Sequence, residues 1–232
     1  MKTASTSVSF SRREFIRTSA ALTAVTLGGP FIAPSSLLGG NAPSKRITLG
    51  VIGCGNQSTV DLPAWLKNDD CQIVAVCDVN RASFGYRHEK QFLGREPQRD
   101  FVDRFYAQKT ASGRFKGCTA YADFRELLAR SDIDAVAIIT PDHWHAIMTV
   151  FAARAGKDIY CQKPLTLTIG EGRDMIAAVR AQRRILQTGS QYRSNEKMRH
   201  ACELVRNGRI GKLQRVDTYV AANNFSGPGP GW

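Results

Sequence analysis

The residues whose types and spacing could do chemistry fall in three short stretches. The first, ITLGVIGCGNQS at 47–58, runs from alternating apolar residues into Gly53-Cys54-Gly55-Asn56-Gln57-Ser58. Glycines between a strand and a helix let the backbone approach a phosphate, and the helix N-terminus offers it free amides. A Gly-x-Gly stretch by itself also suits a tight turn. Asp78, 25 residues beyond Gly53 at the end of the next apolar run, adds a carboxylate that can accept from the ribose hydroxyls of a dinucleotide; its alternative is a helix N-cap. Ser58 departs from the usual third Gly or Ala but is small enough for helix and strand to pack closely. Asp78 would repel the 2′-phosphate of NADP, which favours NAD, while Arg81 could pair with that phosphate and admit NADP.

The second stretch is IITPDHWHAIMTVFAARAGKDIYCQKPL, residues 138–165. A strand ends at Thr140, Pro141 turns the chain and a helix follows. Lys163 ends the next strand, and Pro164 biases it toward extended backbone. Both strand ends belong at the carboxyl edge of a parallel sheet, where such sheets bind ligands. Oxidising a secondary alcohol removes the hydroxyl proton as hydride leaves, and a partly desolvated amine can take it, which points to Lys163. The alternative is a surface lysine ahead of a loop. His143 and His145 diverge on a helix and have no evident third partner, so no metal site is expected. Trp144 suits the core or a wall against which a sugar stacks, and the core is the expectation.

These residues need a scaffold, and the chain supplies one by alternation. Apolar runs at 47–52, 72–77, 134–139, 158–161 and 184–188 are separated by helical spacing at about 57–68, 81–106, 124–130, 144–155 and 168–183. Strands joined by helices imply right-handed crossovers and an α/β fold, a doubly wound parallel sheet. The charged piece at 87–116 reads as an extended helix with a loop, residues 196–207 as a helix, and 213–221 as a strand.

Together the glycine loop, Asp78, TPDHWHAIMTVFAARAGKDIYCQKPL and the third stretch, GSQYRSNEKMRHACELVRNGRIGKLQRVDTY, resemble the Gfo/Idh/MocA family from residue 45 to about 221. The resemblance implies a Rossmann domain at 45–190 and, at 191–232, the start of an α+β second domain with a mostly antiparallel sheet. It implies an NAD(P)-dependent oxidoreductase acting on a sugar or polyol. The family's strand-end Glu-Lys-Pro motif sets a lysine at the substrate hydroxyl and nicotinamide; that role carries over to Lys163. Gln162 replaces the glutamate, which removes a negative neighbour that would raise the lysine pKa. Cofactor contacts are expected from Gly53, Gly55, Asn56, Gln57, Asp78, Thr140, Pro141, His143, His145 and Gln162. His145 would lie near nicotinamide or substrate, with a helix-capping role as its alternative; Tyr192 and Arg193 would reach substrate or serve as a linker. The family's second-domain Asp-x-x-x-His pair is absent here, so the chain reads as the N-terminal portion of a longer protein, homo-oligomeric at full length, and not able to turn over substrate alone.

The composition fits. The chain has 232 residues, 43% of them hydrophobic, with a net charge of +12. The basic surplus is spread over the N-terminus and helical faces at 173–215, with no recognition-helix or RNA-binding pattern, so no nucleic-acid partner is expected. Cys54, Cys71, Cys77, Cys118, Cys161 and Cys202 show no paired spacing and read as buried thiols. Residues 1–40 read as an address: Ser-Arg-Arg-x-Phe-Ile at 11–16 precedes an apolar run too short to span a bilayer, the order of a twin-arginine export signal. That implies the twin-arginine export machinery as partner and a periplasmic or exported destination. Free NAD is scarce there, which favours a tightly held nucleotide reduced and reoxidised within one cycle. Three functions follow: a sugar or polyol oxidoreductase; a glycosidase or lyase that oxidises its substrate transiently; and a non-catalytic nucleotide-binding sensor.

Overall fold

The computed structural model describes residues 46–85 and 89–219. Six strands form one wholly parallel sheet: β1 (Ile47–Ile52), β2 (Cys71–Cys77), β3 (Thr119–Tyr121), β4 (Ala135–Ile138), β5 (Asp158–Gln162) and β6 (Leu186–Gly189), in the order β3-β2-β1-β4-β5-β6. This is the doubly wound Rossmann order, and the connections reverse direction between β1 and β4. Helix α1 (Ser58–Leu66) joins β1 to β2, α2 (Arg95–Ala107) leads to β3, and α3 (Phe124–Leu128) to β4. After a 3₁₀ turn at Asp142–Trp144, α4 (His145–Arg154) leads to β5, and α5 (Ile169–Ala181) to β6. A second 3₁₀ turn, Gln191–Ser194, precedes α6 (Glu196–Arg206).

Alternation along the strands makes two cores. Leu49 and Val51 face α1 and α2, packing with Leu62, Leu66, Val102 and Tyr106. Ile52, Val136 and Ile138 face the other way, against Phe124, Leu127, Met148 and Ala152 of α3 and α4. In β4 three consecutive residues, Val136, Ala137 and Ile138, are fully buried, the pattern of a strand covered on both faces. Helix α5 starts at a capping box: the Thr168 hydroxyl accepts from the Glu171 amide while Glu171 accepts from the Thr168 amide.

The structure revises several sequence expectations. The helix expected at 81–106 begins only at Arg95, because Gly94 has φ +132° and cannot continue a helical backbone. Ahead of it the chain folds back in a short excursion closed by an antiparallel bridge between Ser83 and Leu93. The expected extended helix across 87–116 is therefore only one α2-long piece, followed by a loop. Strand β3 is three residues long and too short to show a period in the sequence. Of the strand expected at 213–221, residues 213–219 have no ladder partner among the described residues, and a strand exists only by pairing, while residues 220 and 221 lie outside the described residues. For the same reason the second domain's antiparallel sheet is not represented among them. The expected leader at 1–40 lies outside the described residues, and no described helix is long and apolar enough to cross a membrane.

Of the six thiols, Cys54, Cys77, Cys118 and Cys161 are buried, whereas Cys71 is partly exposed and Cys202, on the open surface of α6, contradicts the expectation of burial. Burial pushes the Cys77 and Cys118 thiols up to about 12 and Cys161 to about 11, and Cys54 is likewise raised by burial, with Asp78 adding to it. A thiol with a pKa near 12 is only ~10⁻⁴ thiolate at pH 8. Iodoacetamide at pH 8 should therefore label Cys202 first and Cys71 more slowly, leaving the four buried thiols unmodified until the protein is unfolded. Peptide mass spectrometry checks this; labelling of Cys77 at the Cys202 rate would contradict the packing of β2.

Candidate functional site

The site grows from the carboxyl end of β1. Gly53 has φ +100°, and a Cβ on it would lie 2.6 Å from the carbonyl carbon and oxygen of Ile139. Only glycine lets this residue pass so close to the end of β4. The strand end is pinned on both sides: the Gly53 amide donates to the Cys77 carbonyl at 2.8 Å, and the Ile139 amide to the Ile52 carbonyl at 2.7 Å. Asp78 then orders the loop, accepting from the Cys54 amide at 2.7 Å and from the Asn80 amide at 2.8 Å. Ser58, fully buried, donates to the Gly55 carbonyl at 2.6 Å and accepts from Gln98 of α2 at 2.7 Å, closing the turn. The amides of Gly55, Asn56 and Gln57 have no acceptor among the described residues. With the positive end of α1 behind them, they form a cradle for an anion. Each Asp78 oxygen keeps a lone pair beyond the backbone bond it accepts, so the carboxylate can also accept from a hydroxyl. The donor set fits a dinucleotide.

Beneath the loop lies a polar cluster centred on Asp61 of α1, 6% exposed, and the equally buried Gln162, with the exposed Gln57 and half-buried Gln191 at its rim. Its Oδ2 accepts from Gln162 Nε2 at 2.5 Å, and its Oδ1 from Gln57 Nε2 at 3.0 Å and Gln191 Nε2 at 3.3 Å. The other end of the Gln162 amide accepts from the Lys163 backbone amide at 3.1 Å. Burial first, and Asp61 next, push the neighbouring Tyr160 phenol up. The Nε2 groups of Gln57 and Gln162, both expected at the cofactor, are thus directed to Asp61, while the exposed Gln57 keeps its side-chain oxygen and backbone amide without a partner among the described residues. Sequence reading missed Asp61. The signal was present as one carboxylate inside the apolar helix stretch VDLPAWL, where a buried charge must have partners.

At the ends of β4 and β5 stand the other expected residues. His145 is buried, and its ring spans two backbone carbonyls: Nε2 lies 2.8 Å from Thr140 O and Nδ1 2.6 Å from Pro164 O. It ties the chain after β4 to the chain after β5. His143 points to solvent, 3.7 Å from the Asp142 carboxylate, so the two histidines do not converge. Trp144, expected in the core, is 43% exposed, because the 3₁₀ turn rotates it into the groove between α4 and α5 beside Ile147. Lys163 is exposed, joined to Pro164 by a cis peptide bond, and its ammonium has no partner among the described residues. Lys157 is the contrast: its ammonium donates to the carbonyls of Arg130 at 2.6 Å and Ile133 at 2.8 Å, and burial pushes its pKa down. Tyr192, 73% exposed, and Arg193 occupy the turn after β6, on the same edge of the sheet. Arg81 lines an open cavity of about 600 Å³ with Thr59, Phe92, Phe101 and Arg104, beside the Asp78 loop.

Residues 47–190 match the model of a family described as an oxidoreductase family with an NAD-binding Rossmann fold, Gfo/Idh/MocA. The uncharacterized oxidoreductase YrbE of Bacillus subtilis is 39% identical over 171 residues, 72% of this chain and 42% of that protein. A glycosyl hydrolase family 109 protein of Stenotrophomonas maltophilia is 28% identical over 211 residues, 87% of this chain and 40% of its own length. The crystal structure of myo-inositol 2-dehydrogenase from Lactobacillus plantarum superposes with a TM-score of 0.55 at 25% identity, covering 73% of this chain and 43% of that one. This chain thus spans about two fifths of the length of the curated relatives it matches.

The close approach at Gly53 yields a direct expectation. In Gly53→Ala the methyl group meets immovable backbone and the residue sits at an unfavourable φ, a loss of about 2 kcal/mol or more. For a domain of this size the melting temperature should fall by roughly 4–8 °C. An unchanged thermal melt would contradict the contact between the ends of β1 and β4.

Proposed function

The chain belongs to the Gfo/Idh/MocA family of oxidoreductases with an NAD-binding Rossmann fold, and we propose that the protein oxidises or reduces a hydroxyl-bearing carbon of a sugar or polyol with a nicotinamide nucleotide. The observation that carries this reading is Lys163, an ammonium without a partner among the described residues at the end of β5, on the same sheet edge as the Gly53–Ser58 loop. The Gly55–Gln57 amides would hold the pyrophosphate, and Asp78 the ribose, its charge favouring NAD over NADP. Bound there, the nucleotide supplies the hydride acceptor or donor. Lys163, as the amine, takes the hydroxyl proton when the alcohol is oxidised and returns it when the carbonyl is reduced. His145 keeps the two strand ends in register without touching substrate.

A glycosidase is the second reading, favoured by the family 109 relative, whose match extends over 87% of this chain. The same lysine would serve it, since transient oxidation acidifies a neighbouring C–H and allows loss of a glycosidic substituent before the hydride returns. The proposal includes export by the twin-arginine route into the periplasm, a nucleotide retained through transport, and a homo-oligomeric complete protein. A lysine free at the crevice is superfluous to a pure sensor, which sets that reading behind the other two.

The complete protein, purified from its exported fraction and denatured, should release near-stoichiometric NAD or NADP, identified by mass spectrometry. Lys163→Met should retain that nucleotide while losing about 10²–10⁴-fold in turnover on the sugar or polyol that reduces it. Hydrolysis of chromogenic glycosides without net change in nicotinamide would select the second reading. Absence of nucleotide, with no binding on titration, would overturn both.

A further inference from the structure

The Asp61 cluster belongs to no step of the proposed chemistry, yet it joins the glycine loop to the strand end that carries Lys163. Its four side chains come from the glycine loop (Gln57), α1 (Asp61), the end of β5 (Gln162) and the turn after β6 (Gln191). The bond from Gln162 to Asp61 is a direct polar link between the helix that follows the cofactor loop and the strand that leads to Lys163. Donors and acceptors around it are strictly assigned. A carboxylate can only accept, so all three glutamines must turn their NH₂ groups toward it. Gln162 then has its carbonyl oxygen left to accept from the Lys163 amide, which orients the backbone from which the lysine projects.

We infer that Asp61 is a positioning residue: through Gln162 it sets the width of the crevice between the glycine loop and Lys163, and so controls how the nucleotide is held. This rests on the function proposed above. The contact requires an amide at position 162. A glutamate there would set two carboxylates at the distance of a 2.5 Å hydrogen bond. The strand end would be driven outward unless the pair captured a proton. The Tyr160 phenol from β5 also faces the cluster and is pushed upward, by burial first and by Asp61 next.

The test uses the complete protein stripped of nucleotide, with NAD as the probe and quenching of tryptophan emission as the signal. Gln162→Glu should weaken NAD binding about tenfold at pH 8 and recover toward the wild-type value at pH 5.5, where the carboxyl pair shares a proton. Adding Asp61→Asn to it reverses the polarity of the bond: the asparagine NH₂ donates to the carboxylate introduced at position 162 while its carbonyl still accepts from Gln57 and Gln191. That double variant should bind NAD within about threefold of wild type at both pH values, a coupling only an interacting pair produces. Should Gln162→Glu fail to fold at pH 8, the double variant decides: near-normal NAD binding supports the inference and its absence overturns it. An unaltered affinity in Gln162→Glu at pH 8, or a double variant no better than the single one, overturns the inference alone. A wild-type protein with no affinity for either NAD or NADP would overturn the functional proposal and this inference with it, and is distinguished by needing no variant.

Discussion

Everything at this site depends on the reversal of sheet direction at β1. Because β2 and β4 flank it and their crossovers leave on opposite faces, a crevice opens at the carboxyl end of β1. The reversal is tight only because the ends of β1 and β4 touch, with Gly53 against the Ile139 backbone. A side chain at position 53 would part the two strands at the very place where the loop must turn into α1. The glycine is thus a constraint on the sheet first and on any ligand second.

Polar groups around the crevice divide into those that are already satisfied and those that are not. Ser58, His145, Gln57 and Gln162 are committed to protein partners, and Asp78 does both, accepting from two backbone amides while keeping a lone pair on each oxygen. The Gly55–Gln57 amides and the Lys163 ammonium have no such partner among the described residues. That division is physically sensible, since the committed groups hold the geometry and the free ones are available to a ligand whose own charges complement them. The two lysines near β5 show the same logic. Lys157 is locked between two carbonyls beneath the sheet, whereas Lys163 projects from its edge.

A buried carboxylate held by neutral amides is an unusual anchor. The three hydrogen bonds that Asp61 accepts soften its desolvation, but no cation among the described residues pairs with its charge. Such an arrangement tolerates little change in polarity, and it joins three segments far apart in sequence. That makes the cluster a register device for the crevice rather than a source of stability.

The sequence alone determined the alternating strands and helices, the position of the glycine loop after β1, that of Asp78 at the end of β2, and that of Lys163 at the end of β5. These are legible because each depends on local rules: a period of two in strands, glycine before a helix, a strand end followed by proline. Its failures have a different origin. The helix expected from residue 81 starts at Arg95 because charge and spacing do not reveal a glycine at φ +132°, and β3 is too short to have a period. Trp144 turned outward because a 3₁₀ turn, invisible in the hydrophobic pattern, preceded the helix. Only tertiary structure decided that Asp61 meets Gln162 across 101 positions of chain, or that His145 bridges Thr140 and Pro164. Partners so distant are chosen by which strands lie side by side, and that choice is made by the packing of the whole sheet.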